Sequence, residues 1–94
     1  AKGSDSFILE IKGDSMIDAG INDGDFAIIK KQNTANNGDI AVALTNENEA
    51  TLKRFRKRGD TIALEAANES FETRIYSAGQ INIQGILIGL IRRY

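Results

Sequence analysis

The sequence predicts a mainly β fold, built as a strongly bent antiparallel sheet or a small barrel. Short apolar runs of strand length recur along the 94 residues, and clusters of Gly, Asn and Asp separate them. No segment keeps a helical apolar stripe over several turns, and proline is absent. The length suits one compact domain, so we treat residues 1–94 as a single unit.

The first half of the chain predicts four strands. Residues 7–12 alternate apolar and polar side chains with the period of two that is typical of a strand with one better-buried face. A turn-rich stretch follows, and the apolar runs 26–29 and 40–44 then predict two central strands. Because residues 45–49 are short and polar, we expect 40–44 and 50–56 to form a hairpin.

The second half predicts three more strands. The Arg58-Gly59-Asp60 turn leads into residues 61–65, and a polar connection leads to 73–76. The last strand covers 80–92, with Gly85 as a candidate bulge. Beyond Gly85 this strand is apolar on both faces, so we expect both faces to be covered.

Composition excludes several kinds of chemistry. The chain has no cysteine and no histidine, which excludes disulfides, thiolate metal sites, cysteine nucleophiles and the Ser-His-Asp triad. Asp18, Asp23 and Asp25 lack the spacing of a calcium loop and are interpreted as turn residues, so we expect neither a metal nor a cofactor.

Charge and hydropathy bear on partners and location. Twelve basic and thirteen acidic residues give a net charge of −1, so nucleic acid is not the expected direct partner of this domain. The basic run from Lys53 to Arg58 is interpreted as mostly solvated. No apolar run has the length of a membrane span, and no signal-peptide core is present, so we expect a cytoplasmic protein.

Two residues could carry chemistry. Ser15 lies in Gly13-Asp14-Ser15-Met16, where a strand gives way to turns. Such a serine is ordinary turn chemistry unless a base lies within reach, and without histidine the plausible base is a neutral lysine. Lys53 fits best, because on its predicted strand it shares a face with Thr51 and Phe55. The alternative for a single strand lysine is a solvated surface residue.

Three blocks of the sequence resemble LexA-type SOS repressors. Residues 7–25 resemble the nucleophile segment of that family, Thr51-Leu52-Lys53-Arg54-Phe55 resembles its catalytic-lysine strand, and 85–92 resembles its closing strand. Ser15 and Lys53 are 38 positions apart, close to the spacing of the family. The three blocks occur in the order that the family has.

The resemblance implies a self-cleaving serine peptidase with a role in the SOS response to DNA damage. Ser15 would attack a peptide carbonyl, Lys53 would take its proton, and the backbone N–H groups of Asp14 and Ser15 would hold the oxyanion. It also implies a homodimer through the carboxy-terminal strand and activation by the RecA filament on single-stranded DNA. Operator DNA would be bound by an amino-terminal domain.

We expect that DNA-binding domain and the Ala-Gly cleavage loop to lie outside these residues, because neither pattern is found at its place here. Cleavage in cis would then need the missing loop. Within the same superfamily, a phage repressor or a UmuD-like polymerase accessory subunit stays open. Signal peptidases use a similar serine but need a membrane anchor. A non-catalytic dimerisation module is the alternative from another class.

Overall fold

A computed structural model of the chain describes residues 5–94. Seven antiparallel strands form one sheet in the spatial order β1-β2-β7-β3-β4-β5-β6. Their bounds are β1 Ser6–Glu10, β2 Phe26–Lys31, β3 Ile40–Thr45, β4 Ala50–Arg58, β5 Thr61–Glu65, β6 Arg74–Ser77 and β7 Ile81–Ile91. The prediction of a mainly β fold is confirmed. Each predicted strand is present, and its ends agree within two residues.

Two short 3₁₀ helices, Ile17–Ala19 and Ala78–Gln80, complete the described part of the chain. Neither was predicted, because three residues are too few to show a helical period. The helices of residues 5–94 are too short to traverse a bilayer.

The central strands are buried on both faces, because two apolar clusters lie on opposite sides of them. On β3, Val42 packs into the first cluster, whereas Ala41 and Ala43 pack into the second. On β4, Leu52 and Phe55 divide in the same way. Side chains alternate across a strand, so this division follows from the sequence period. Each of these two strands therefore contributes side chains to both apolar clusters.

The structure corrects the place of the predicted bulge in β7. Val42 pairs with Gly85 and Ala43 pairs with Ile83, so the extra residue of the bulge is Gln84, next to Gly85. A second irregularity occurs at Ile88, opposite the step from Ile28 to Ile29 of β2. Gly85 itself is a point of close approach, because a Cβ there would lie 2.5 Å from the carbonyl oxygen of Lys30.

The end of β7 is tied back to the first half of the chain by Arg92. Its guanidinium donates to both carboxylate oxygens of Asp25, at 2.8 and 2.6 Å, and also to the carbonyl of Gly20 at 2.8 Å. The Asp25 carboxylate also accepts from the backbone N–H of Asn22 at 2.7 Å. These bonds, above all the Arg92 bond, lower the pKa of Asp25 to about 2. The buried carboxylate is therefore ionised and fully paired.

The expected covering of both faces of β7 is absent at its carboxy-terminal end in the described chain. Ile88, Leu90 and Ile91 are 55%, 37% and 45% exposed. β7 pairs with β3 only as far as Ile86, whereas its pairing with β2 continues to Ile91. This leaves an apolar strand edge beyond Ile86.

Candidate active site

Ser15 lies in a turn that is fixed at both ends. At its base, Ile11 exchanges two backbone hydrogen bonds of 2.8 Å with the 24–25 segment. The carboxylate of Asp23 accepts from the N–H of Gly13 at 2.6 Å, and Gly13 has φ of 88°, a conformation that favours glycine. Beyond the serine, Met16 is only 2% exposed and packs into the first apolar cluster. The turn therefore presents Ser15 on a rigid support.

A segment from the far side of the sheet holds the same turn. The N–H of Ala67 donates to the carbonyl of Ser15 at 2.8 Å, and the carbonyl of Ala67 accepts from the N–H of Asp18 at 2.7 Å. The side-chain amide of Asn68 donates to the carbonyl of Asp14 at 2.9 Å. The connection between β5 and β6, which the sequence indicated only as polar, is thus part of the site.

Lys53 lies on β4 on the face that also carries Phe55, as its sequence position predicted. Its Nζ donates to Thr51 Oγ1 at 2.6 Å. Burial lowers the pKa of the Lys53 ammonium, the Glu49 carboxylate opposes that shift, and the Arg74 guanidinium adds to it. The charged groups that influence Lys53 therefore lie outside the basic run in which it is found.

One open cleft of about 340 Å³ is lined by both predicted catalytic residues. The segment from Leu9 to Met16 and the segment from Glu49 to Lys53 line this cleft, together with Phe71. No hydrogen bond joins Ser15 to Lys53 in the described chain. Such bonds between catalytic groups are often loose until a substrate is bound.

A second cleft, of about 460 Å³, is also lined by Lys53. It shares Glu49, Thr51, Lys53 and Phe71 with the first cleft and extends along β5 and β6 to Arg74 and Tyr76. Lys53 thus lies where the two clefts meet. A bound polypeptide that passes from one cleft into the other would cover the amine.

The two backbone N–H groups predicted to bind the oxyanion, those of Asp14 and Ser15, have no hydrogen-bond acceptor among the described residues. Both residues line the same cleft as Lys53. Backbone donors at such a place can hold an oxyanion without reorganising, because the turn already fixes them.

Sequence reasoning missed three of the groups that shape the site. Thr51 was noted as a face neighbour of Lys53 but not as its hydrogen-bond partner, although the i, i+2 spacing was the available signal. Asn68 and Arg74 reach the site only through the fold. Two of the three carboxylates that could have suggested a cation site have other partners, since Asp23 accepts from the N–H of Gly13 and Asp25 is paired with Arg92.

A comparison with known protein families finds a family model that covers most of the chain. The family described as Peptidase S24-like matches residues 1–88. That range includes the serine turn, the lysine strand and the Asn68 segment, and it ends within β7.

Proposed function

Because this chain belongs to the Peptidase S24-like family, we propose that it is the self-cleavage and dimerisation domain of a LexA-type SOS repressor. Ser15 is the nucleophile, and Lys53 is its general base. The observation that carries the proposal is that one cleft contains the rigidly held serine and a partly buried lysine. The resemblance of the 7–25, 51–55 and 85–92 blocks to LexA-type repressors supports that type within the family.

The reaction begins when neutral Lys53 takes the proton of the Ser15 hydroxyl. The serine oxygen bonds to the substrate carbonyl carbon, and the negative charge moves to the carbonyl oxygen, which the N–H groups of Asp14 and Ser15 bind. The C–N bond then breaks as the lysine returns its proton to the leaving amine. In the second half of the reaction, Lys53 takes a proton from a water molecule whose oxygen bonds to the acyl carbon. The ester bond to Ser15 then breaks as the lysine returns that proton to the serine oxygen.

Lys53 must be neutral for the first step. Its ordinary pKa of 10.5 is already lowered by burial in the free domain. Because Lys53 lies where two clefts meet, a cleavage segment that fills both would desolvate the amine further. The RecA filament would favour this loaded state and would not need to donate a catalytic group, so activation is a population shift.

We expect the cleavage rate to rise with pH. The test substrate is a separate peptide with the family's Ala-Gly bond, which the domain would cut in trans, slowly because the substrate is not tethered. The rate should increase until Lys53 is deprotonated, with a midpoint below 10.5. Because the bound peptide buries the amine, the midpoint of kcat should lie below that of kcat/KM. Initial rates measured over pH 7–11, roughly the range in which perturbed lysines titrate, give both values.

Covalent labelling by a fluorophosphonate is the control, because it reports Ser15 without depending on the peptide sequence. A labelled Ser15 with a rate that rises with pH supports the dyad. If the chain neither takes the label nor cuts the peptide at any pH, the peptidase proposal fails, and the alternative function as a non-catalytic dimerisation module takes its place.

The exposed end of β7 supports a second part of the proposal, a homodimer of this domain. Two copies could pair their free edges beyond Ile86 in a two-fold arrangement and cover Ile88 and Ile91.

Ile88→Lys should weaken dimerisation by about ten- to a hundredfold in sedimentation experiments, because it puts a charge in the contact. Ile75→Lys, at the 63% exposed Ile75 of β6, is the matched control and should leave the dimer intact. A chain that stays monomeric at about 100 μM, where even weak specific dimers form, would contradict this part.

A further inference from the structure

We propose that Asn68 is a positioning residue of the oxyanion hole, which aims the N–H of Ser15 at the reacting carbonyl. The inference rests on the proposed peptidase function and deepens it. Its starting point is one hydrogen bond between segments 54 positions apart in the chain, from Asn68 Nδ2 to the carbonyl oxygen of Asp14 at 2.9 Å.

The carbonyl that Asn68 binds belongs to the peptide unit that supplies the oxyanion donor. The C=O of Asp14 and the N–H of Ser15 are parts of one planar trans peptide, in which they point in opposite directions. A donor that fixes the oxygen on one side therefore fixes the direction of the N–H on the other. A hydrogen bond to the oxygen also polarises the N–H and makes it a better donor.

The Asn68 amide is itself held in one orientation. Its Oδ1 accepts from the backbone N–H of Ser70 at 2.9 Å, so the Nδ2 group is the one that faces Asp14. The Asp14 carbonyl also accepts from the N–H of Ile17, at 3.2 Å, which places that oxygen between two donors. The peptide unit cannot rotate without losing both bonds.

Backbone hydrogen bonds of the neighbouring Ala67 allow the positioning role of Asn68 to be tested apart from its contribution to folding. Ala67 holds the serine turn through its own N–H and C=O, at 2.8 and 2.7 Å, and any side chain at position 68 leaves those two bonds in place. Removing the Asn68 amide should therefore leave the turn docked. The Asp14 carbonyl would keep only the longer bond from the N–H of Ile17, at 3.2 Å, so the Asp14–Ser15 peptide would be held less firmly. The expected defect is in stabilising the transition state, with little change in substrate binding.

The test is Asn68→Ala in the peptide-cleavage assay. We expect kcat to fall by roughly ten- to a hundredfold, a smaller loss than removal of an oxyanion donor causes. The pH midpoint of the cleavage rate should be the same as in the unchanged chain. Fluorophosphonate labelling of Ser15 should slow similarly, because the phosphoryl oxygen occupies the same hole. In a Ser15→Ala background, which cannot cut, the change should leave the affinity for the intact peptide within about twofold.

Asn37→Ala is the matched control. Asn37 also bridges two segments through both ends of its amide, at 2.6 and 3.2 Å to the backbone of Lys57, but it lies outside the two clefts that Lys53 lines. Both variants should lower Tm by a similar few degrees. Only the Asn68 variant should lower kcat.

Asn68→Asp distinguishes the lost donor from a loosened turn. It keeps an acceptor for the N–H of Ser70 but offers no donor to Asp14, so it should stay slow even at the alkaline plateau, where Lys53 is already neutral. Recovery of the full rate in this variant, or equal rate losses in the Asn37 and Asn68 variants, would overturn the proposal. If the unchanged chain cuts and Asn68→Ala cuts as fast, the Asn68 proposal alone fails. If the unchanged chain neither cuts nor is labelled, both proposals fail together.

Discussion

Lys53→Arg is expected to reduce peptide cleavage by about 10²–10⁴-fold while the domain stays folded. The guanidinium keeps the positive charge and most of the length of the side chain, but it stays protonated throughout the pH range in which proteins are stable. It therefore cannot accept the proton of Ser15. The residual rate should also lose its rise with pH, because the titrating group is gone.

Two variants make this result specific. Ser15→Ala should abolish cleavage and fluorophosphonate labelling, since it removes the nucleophile. Lys57→Arg makes the same chemical change at an exposed position of β4, and it should leave the rate and the pH profile unaltered. A Lys53→Arg domain that cut at the original rate with the same alkaline rise would show that another group is the base.

The strands could be predicted because the spacing of their apolar residues follows the alternation of side chains along an extended backbone. Residues 61–65 were predicted with the bounds that β5 has, and the other strands differ only at their ends. Strand ends depend on which neighbour offers a hydrogen-bond partner, and this is decided by pairing between distant segments. β4, for example, extends to Arg58 because Thr61 pairs with that residue.

The candidate site shows where such prediction stops. Ser15 and Lys53 were selected by the chemistry of their residue types and by resemblance, and their placement in one cleft depends on a seven-stranded sheet. The contact of Asn68 with Asp14 has no local signature, since asparagine in a polar connection is ordinary. The lowered pKa of Lys53 likewise depends on burial between segments that are remote in sequence.

The sequence also identified Gly85 as a special position of the last strand, as a candidate bulge, but the structure gives a different reason for a glycine there. Glycine in a strand can mark a bulge or a close approach of backbone, and residue types alone do not distinguish them. Here the bulge residue is Gln84, and Gly85 lies where β7 passes against Lys30 of β2. Its small size is therefore a packing requirement at the junction of β2, β7 and β3.

Gly85→Ala is expected to destabilise the domain by about 3 kcal/mol or more, at the upper end of the cost of overpacking a core. The added Cβ would lie 2.5 Å from both the Lys30 carbonyl oxygen and Ile29 Cγ2, and the oxygen belongs to a backbone that is fixed by strand pairing. Relief would require β2 and β7 to separate, which would disturb the strand that carries Arg92 to Asp25. Gly79→Ala is the matched control, because a Cβ there meets no atom within 4 Å, and it should be nearly neutral. Urea unfolding followed by circular dichroism compares the two variants, and equal midpoints would show that β7 can shift to accept a side chain at position 85.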